Sequence, residues 1–173
     1  MTWTTPEVQR PDRTYTADER TALETALDFQ RATFLHKCGG LNGEQLVMRP
    51  VGRSTLSLLG LARHLAGVER WWFRNHLDGE KDLPWIFFTE DNLEGDFDDG
   101  TAESARGDFE IYEREVAAAR AAAARHSLDD TFRRPKGQVQ DLRCLFLYMT
   151  EEYARHNGHA DLVREHIDGR TGD

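Results

Sequence analysis

The sequence predicts an all-α protein, specifically a four-helix bundle with long connections. Apolar side chains recur every three or four residues along four long segments, as they do on the buried side of a helix. The sequence contains no convincing alternation of apolar and polar residues, no glycine-rich phosphate loop and no internal repeat. At 173 residues the chain is long enough to bury one core without disulfides.

The N-terminal segment differs from the rest of the chain. Residues 1–16 are polar and contain Pro6 and Pro11, so we predict a flexible tail. Helical spacing begins only after this segment. We therefore predict that residues 17–173 form a single domain, in which every later element takes part.

The first helix should start after Thr16, because residues 16–19 have the form of a capping box that ends on Glu19. Glycine is the common residue at helix ends, so the helix should stop near Gly39. The connection that follows, to about residue 53, contains a short helical turn at 43–48. The apolar positions of the first helix are Leu23, Leu27, Ala32 and Leu35.

The second helix should be capped by Ser54 or Thr55 and should run to about Leu77. Its apolar side chains recur at helical spacing. His64 lies three residues after one member of this stripe and four before another, so it borders the inward face. The stripe consists of Leu58, Leu61, Leu65, Val68 and Trp72.

An acidic connection over residues 80–100 separates the second helix from the third. It contains a group of apolar and aromatic residues at 84–88, and long loops of this kind often cover a functional site. The third helix is predicted over 101–125 from its alanine-rich composition. Its larger apolar anchors are Phe109, Tyr112 and Val116.

The fourth helix should be capped by Asp141 and should end before Gly169. Its inward stripe contains Leu145, Met149 and Val163, and three polar side chains lie at the same spacing. These are Glu152, His156 and His159. Burying an ionised carboxylate without a partner is costly, and a metal ion is one source of the missing positive charge. This segment is therefore the best indication of function in the chain.

A carboxylate and an imidazole four residues apart on a helix can reach one metal ion, so Glu152 and His156 are predicted ligands. A third ligand must come from another element, and His64 is the candidate. A lone inward histidine is more often a hydrogen-bonded core residue, but three inward donors favour a metal. His159 lies on the same side of the helix and is an alternative ligand. The residue four positions before it is Arg155, which cannot bind a metal as the second member of the pair. We assign His159 a catalytic role next to the metal, orienting a ligand or a bound water.

Composition and charge limit the partners. A formal net charge of −9 argues against nucleic acid. No apolar run is long enough to span a membrane and no secretory leader is recognisable, so a cytoplasmic location is expected. Cys38 and Cys144 are predicted to be neither disulfide partners nor nucleophiles, and Cys144 is expected to be a small buried thiol. Several arginines are expected to form solvated ion pairs: Arg63, Arg70, Arg74, Arg155 and Arg164.

Two segments resemble the DinB-like superfamily, in particular its actinobacterial branch. They are RPVGRSTLSLLGLARHLAGVERWW at 49–72 and EEYARHNGHADL at 151–162. The resemblance covers the chain after the tail and implies a four-helix bundle whose metal is held by His64, Glu152 and His156. Many members have three histidines, whereas mycothiol-dependent maleylpyruvate isomerases are similar to this chain in having glutamate at the position of Glu152. The chain is most similar to mycothiol S-transferases.

The resemblance implies a function in which a divalent ion, zinc before nickel, iron or manganese, lowers the pKa of the thiol of mycothiol. The thiolate would attack an electrophilic small molecule, and His159 or a bound water would accept the proton. Three alternatives remain open: a mycothiol-dependent isomerase, a non-catalytic metal-binding stress-response bundle and a redox iron enzyme. A homodimer is compatible with the sequence, which does not define the number of subunits.

Overall fold

The computed structural model describes residues 2–81 and 83–172. The described residues form a mostly helical bundle, which confirms the predicted fold class. No helix among them is long and apolar enough to cross a membrane. The elements are α1 (Glu19–Cys38), α2 (Gly43–Leu46), α3 (Leu58–Glu69), a π-helical segment that continues α3 (Arg70–Leu77), α4 (Gly95–Asp98), α5 (Ala105–Ala123), β1 (Thr131–Arg133), β2 (Val139–Asp141) and α6 (Leu142–Asp168).

The four long helices pack as two pairs. Helix α1 lies along α6, helix α3 with its π-helical continuation lies along α5, and α3 also contacts α6. Each long helix contributes fully buried side chains to one core, for example Phe34, Leu61, Tyr112 and Met149. Phe34 and Tyr112 meet edge to face, with ring centroids 5.6 Å apart, an arrangement that aromatic pairs favour. The site described below lies where α3 faces α6.

Two helix starts differ from the sequence prediction. Helix α1 is capped by Asp18 rather than Thr16, and the Asp18 carboxylate accepts the hydrogen bond from the backbone of the third residue after it. Helix α3 is capped by Ser57 in the same way, not by Ser54 or Thr55. Neighbouring serine, threonine and aspartate residues have similar capping strengths, so the path of the incoming loop decides which one caps.

The start and the end of α6 were predicted correctly. Asp141 caps the helix by accepting a hydrogen bond of 2.7 Å from the backbone N–H of Cys144. The helix ends at Gly169, whose φ of 80° lies in the left-handed region that glycine adopts without steric cost. The helix is therefore continuous through the whole predicted metal-binding segment.

A β-hairpin precedes α6, and the sequence analysis did not predict it. Strands β1 and β2 pair antiparallel, with Phe132 opposite Gln140, and both of these side chains are buried. Three-residue strands are too short to produce a recognisable alternation of apolar and polar residues. Phe132 contacts the ring of Trp72 in the π-helical segment, with centroids 6.5 Å apart. The hairpin thus packs against the π-helical segment that continues α3.

The N-terminal segment contacts the loop after α1. Thr4 forms an isolated bridge with Asn42, and the N–H of Thr5 donates to the carbonyl of Leu41 at 2.9 Å. Thr5 is buried, with 3% of its surface exposed. These contacts attach the first residues to the bundle, while the flexibility of the rest of 1–16 and the domain boundary at residue 17 stay predictions.

A buried ion pair lies at the centre of the bundle. The Arg31 guanidinium of α1 donates to both carboxylate oxygens of Glu69, at 2.7 and 2.6 Å. The Tyr153 hydroxyl of α6 donates to the same carboxylate at 2.7 Å and lies 3.1 Å from the Tyr112 hydroxyl of α5. Burial raises the pKa of Tyr153, so its hydroxyl remains a donor. One network therefore connects all four long helices.

We predict that Glu69→Gln lowers the free energy of unfolding by about 3 kcal/mol, because Arg31 loses its buried counter-charge. Glu110→Gln is the matched control, since it removes the same charge from an exposed pair with Arg106 and should cost less than about 0.5 kcal/mol. Urea denaturation of the wild type and both variants measures the difference. Equal effects of the two substitutions would show that the buried network does not support the bundle.

Candidate metal centre

Helices α3 and α6 bring the three predicted ligands together. One ligand atom from each of His64, Glu152 and His156 lies within 4.8 Å of the other two. Oε1 of Glu152 is 3.6 Å from Nε2 of His64 and 3.2 Å from Nε2 of His156. Donors bound to one ion at about 2.0–2.2 Å lie roughly 3–3.5 Å apart, so the two distances from Glu152 to the imidazoles are close to those of a metal site.

Asp96 holds the ring of His64 from the side opposite the cluster. Its Oδ2 lies 2.9 Å from Nδ1 of His64, and the Asp96 residue is only 5% exposed. This contact leaves Nε2 of His64 directed towards Glu152. Carboxylates commonly fix metal-binding histidines in this manner, by accepting a hydrogen bond from the nitrogen that does not ligate. Asp96 was not predicted from the sequence, because it is one of many acidic residues in its connection.

Arg63, the neighbour of His64, positions Asp96. The Arg63 guanidinium donates to the carbonyl oxygens of Gly95 and Asp96 at 2.9 Å each, and to the carboxylate of Asp108 at 2.8 Å. The prediction of a solvated pair was wrong for Arg164, which is 4% exposed, and for Arg63, which is 6% exposed. A guanidinium satisfies several acceptors at once, and this allows it to be buried between α3, α4 and α5.

The connection before α4 has a constrained backbone. Phe87 has a φ of 68°, in the left-handed region that bulky residues rarely adopt, and its ring lies 4.2 Å from the Arg63 guanidinium carbon. A Cβ at position 95 would lie 2.5 Å from the Phe87 carbonyl oxygen, so Gly95 is required there. The chain is thereby fixed immediately before Asp96.

His159 contacts the cluster through His156. The Nδ1 atoms of the two rings are 3.4 Å apart, so one ring can donate to the other. If His156 ligates through Nε2, its Nδ1–H is free to donate to His159, an arrangement that would orient the ligand. Burial, followed by the nearby charges of His156 and Arg155, lowers the pKa of His159. Its predicted catalytic role stays a prediction.

The charges of the cluster favour a bound cation. Burial alone would lower the pKa of His64, but hydrogen bonds with Asp96 and Glu152 outweigh it and raise the pKa from 6.5 to about 9. Hydrogen bonds with His156 and His64 hold the pKa of Glu152 far below its ordinary value, against the opposing effect of burial. The site is therefore built around an ionised carboxylate, and a metal ion would take the place of the His64 proton.

Two cavities open near the cluster. A small one of about 230 Å³ has His64 and Asp96 in its wall, together with Trp85 and Phe88 of the aromatic connection. A larger groove of about 900 Å³ lies between the hairpin and α6, and Trp72 lines both cavities. The aromatic connection was expected to cover a site, whereas the groove was not predicted from the sequence.

Fold and site together define a helical-bundle protein with a candidate metal centre of two histidines and one glutamate. The model of the mycothiol-S-transferase family matches residues 22–169, so the chain belongs to that family. This confirms the predicted membership and supports a transferase-like enzyme. Neither the curated proteins nor the solved structures gave a significant match.

We predict that Asp96→Asn lowers the pKa of His64 in chelator-treated protein, because the imidazolium loses a carboxylate partner. The raised pKa stabilises the fold fully below pH 6.5, and this stabilisation is lost as the pH rises through about 9. The variant should show a smaller loss of stability over that range. NMR titration of the histidine rings and urea denaturation between pH 6 and 10 measure both effects.

The matched control is Asp98→Asn, which removes the same charge from an exposed carboxylate on the same short helix. It should leave the titration of His64 close to that of the wild type. Identical titration curves for the Asp96 variant and the wild type would contradict the role of Asp96.

Proposed function

We propose that this protein is a metal-dependent S-transferase that joins mycothiol to an electrophilic small molecule. Membership in the mycothiol-S-transferase family supports the reaction class. The observation that supports a bound metal is that the side chains of His64, Glu152 and His156 converge between α3 and α6. Zinc is our first choice of ion, with nickel, iron and manganese as alternatives because a carboxylate oxygen also suits harder metals.

A bound divalent ion would supply a Lewis acid that lowers the pKa of a nearby thiol, so that thiolate forms near neutral pH. The protein residues prepare this chemistry. His64, Glu152 and His156 contribute three donors, fewer than the four or more that such ions take, which leaves room for a substrate. Asp96 and His159 orient the two imidazoles. The surrounding aromatic side chains exclude water, which strengthens electrostatic interactions inside the site.

The proposed reaction conserves atoms and charge. The thiol gives up its proton, the mycothiol sulfur forms a bond to an electrophilic carbon of the second substrate, and the leaving group departs with the electron pair of its broken bond. His159 and a bound water are the two proposed proton acceptors. Because the pKa of His159 is lowered, its ring is neutral at pH 7 and can accept a proton.

We predict that His156→Ala abolishes both metal content and thiol conjugation, since two ligands cannot hold the ion firmly. His166→Ala is the matched control, because His166 lies on the same helix but is exposed and bonded only to its own helix backbone. Elemental analysis gives the metal content, and loss of mycothiol in the presence of a reactive aromatic halide gives the activity. Full conjugation by a metal-free His156 variant would reject the scheme.

We predict that the metal-loaded protein consumes one mycothiol for each halide ion that it releases from an aromatic halide. Thiol titration and halide measurement on the same samples give this ratio. If thiol were recovered unchanged while a substrate double bond isomerised, the protein would be an isomerase. If removing the metal lowered the melting temperature and no thiol reacted in any assay, the ion would serve only to hold the helices together.

A further inference from the structure

An apolar pocket adjoins the candidate metal centre. It has a volume of about 230 Å³, and its only polar side chains among the described residues are those of His64 and Asp96 and the indole N–H groups. These two residues lie at the end nearest the cluster. The remaining side chains of the wall are Val68, Trp71, Trp72, Trp85, Phe88 and Leu93. A molecule in this pocket would therefore lie directly beside a proposed metal ligand.

Stacked aromatic rings give this pocket a defined shape. Trp71 and Trp85 stack with an interplanar angle of 29° and centroids 5.2 Å apart, and Phe88 meets Trp85 edge to face at 4.6 Å. Trp71 belongs to the π-helical segment, a departure from α-helical geometry that is frequent at functional sites. The aromatic connection and the π-helical segment after α3 thus form one wall of the pocket. The rings of the two segments pack against each other.

Two large apolar side chains at the rim are left in contact with water. Trp85 is 50% exposed and Leu93 is 70% exposed, although both also line the pocket. Contiguous exposed apolar surface next to a cavity commonly marks a binding site, because a bound apolar molecule removes that surface from water. The exposure of these two side chains and the location of the pocket beside His64 are separate observations. Both indicate that an apolar molecule binds in the pocket.

The chemistry of the wall determines which molecules fit. No lysine or arginine is among the described lining residues, and the Asp96 carboxylate is already committed to His64 and to the backbone N–H of Phe97. An anionic group away from the His64 end would therefore find no lysine or arginine partner in the pocket. The volume lies below the roughly 300–1,000 Å³ of pockets for drug-sized ligands, so it suits a molecule of about one ring.

The larger groove, which shares Trp72 with the pocket, has more polar and charged side chains in its wall. Its wall includes Arg134, Lys136, Gln138 and Glu151, which offer both donors and acceptors. A hydroxyl-rich molecule such as the sugar portion of mycothiol can form hydrogen bonds there. The groove is the more polar of the two cavities, as mycothiol is the more polar of the two proposed substrates.

We propose that the apolar pocket binds the electrophile, and that this substrate is an uncharged, apolar molecule of about one ring, such as an activated aromatic halide. The inference rests on the proposed function. In the reaction with an aromatic chloride, the mycothiol sulfur bonds to the ring carbon, the carbon–chlorine bond breaks, chloride leaves with the electron pair and the thiol proton passes to solvent. The ring lies against Trp71 and Trp85 with its reactive carbon towards His64.

The first test compares two electrophiles on the metal-loaded protein with mycothiol: 1-chloro-2,4-dinitrobenzene, which is aromatic, and chloroacetamide, which is small and polar. Trp85→Ala removes stacking surface, and Leu93→Glu places a charge at the rim. Each should lower the ratio of kcat/KM for the aromatic over the polar substrate by about five- to tenfold, as expected for losing one apolar or aromatic contact. Unchanged ratios in both variants would overturn the proposal.

All proteins in this test carry Cys144→Ser, because Cys144 is exposed, contrary to the prediction of a buried thiol, and an exposed thiol can react directly with the electrophiles. Leu162→Ala is the matched control. Leu162 is 52% exposed and does not line the pocket, so its removal should leave the ratio within twofold of the parent protein. A fall in the ratio for this control equal to that of the pocket variants would also overturn the proposal.

The second test measures binding without chemistry. It titrates 1,3-dinitrobenzene, which lacks the leaving group, into metal-loaded protein without thiol, and ligand-observed NMR gives the Kd. Leu93→Glu should raise this Kd about five- to tenfold, and Leu162→Ala should not. Absence of binding, or equal binding by all proteins, would overturn the pocket assignment whether or not the protein is active. Binding that follows this prediction without any thiol conjugation would support the pocket and reject the proposed transferase.

Discussion

The buried carboxylate of Glu69 is the contact on which the geometry of this protein depends. It accepts hydrogen bonds from Arg31 on α1 and from Tyr153 on α6, and it lies on α3 five residues after His64. Tyr153 directly follows Glu152. Because the charges of Arg31 and Glu69 are almost completely buried, sliding α3 against α1 would separate them at a large cost in free energy. Sliding α3 against α6 would break the buried hydrogen bond from Tyr153 to Glu69. The same restriction fixes the distance between the metal-ligand candidates on these helices.

A second restriction acts through Arg63 and determines the surroundings of the cluster. Its guanidinium holds the backbone at Gly95 and Asp96 against α3, so the Asp96 carboxylate reaches the ring of His64. The chain before this point carries the aromatic wall of the pocket. Two neighbouring residues of one helix turn thus have different tasks, since Arg63 anchors the connection and His64 faces the cluster. The same anchor would shape both the candidate metal centre and the proposed site for the electrophile.

The candidate centre replaces part of the apolar core by polar groups, which lowers stability unless each group has a partner. Here Glu152 and His156 are each 9% exposed, and the carboxylate contacts both imidazoles. This arrangement conflicts with the otherwise apolar stripe of α6. Polar residues at positions where the fold would favour apolar ones are expected at functional sites. A protein that used this face only for packing could place leucines there, as α6 does at Leu142 and Leu145.

The sequence by itself determined the long helices, the cap at Asp141, the end at Gly169 and the three residues of the cluster. These features follow from local spacing, because side chains three or four residues apart share one side of a helix. Only the tertiary structure decided that Arg63 is buried, that Asp96 is the partner of His64 and that aromatic residues enclose a pocket. The partners of Arg63 and His64 lie more than 30 residues away along the chain. The spacing of residues along the sequence gives no information about such distant contacts. Any of the acidic residues in the connection could reach α3, and only the packing of the folded chain determines which one does.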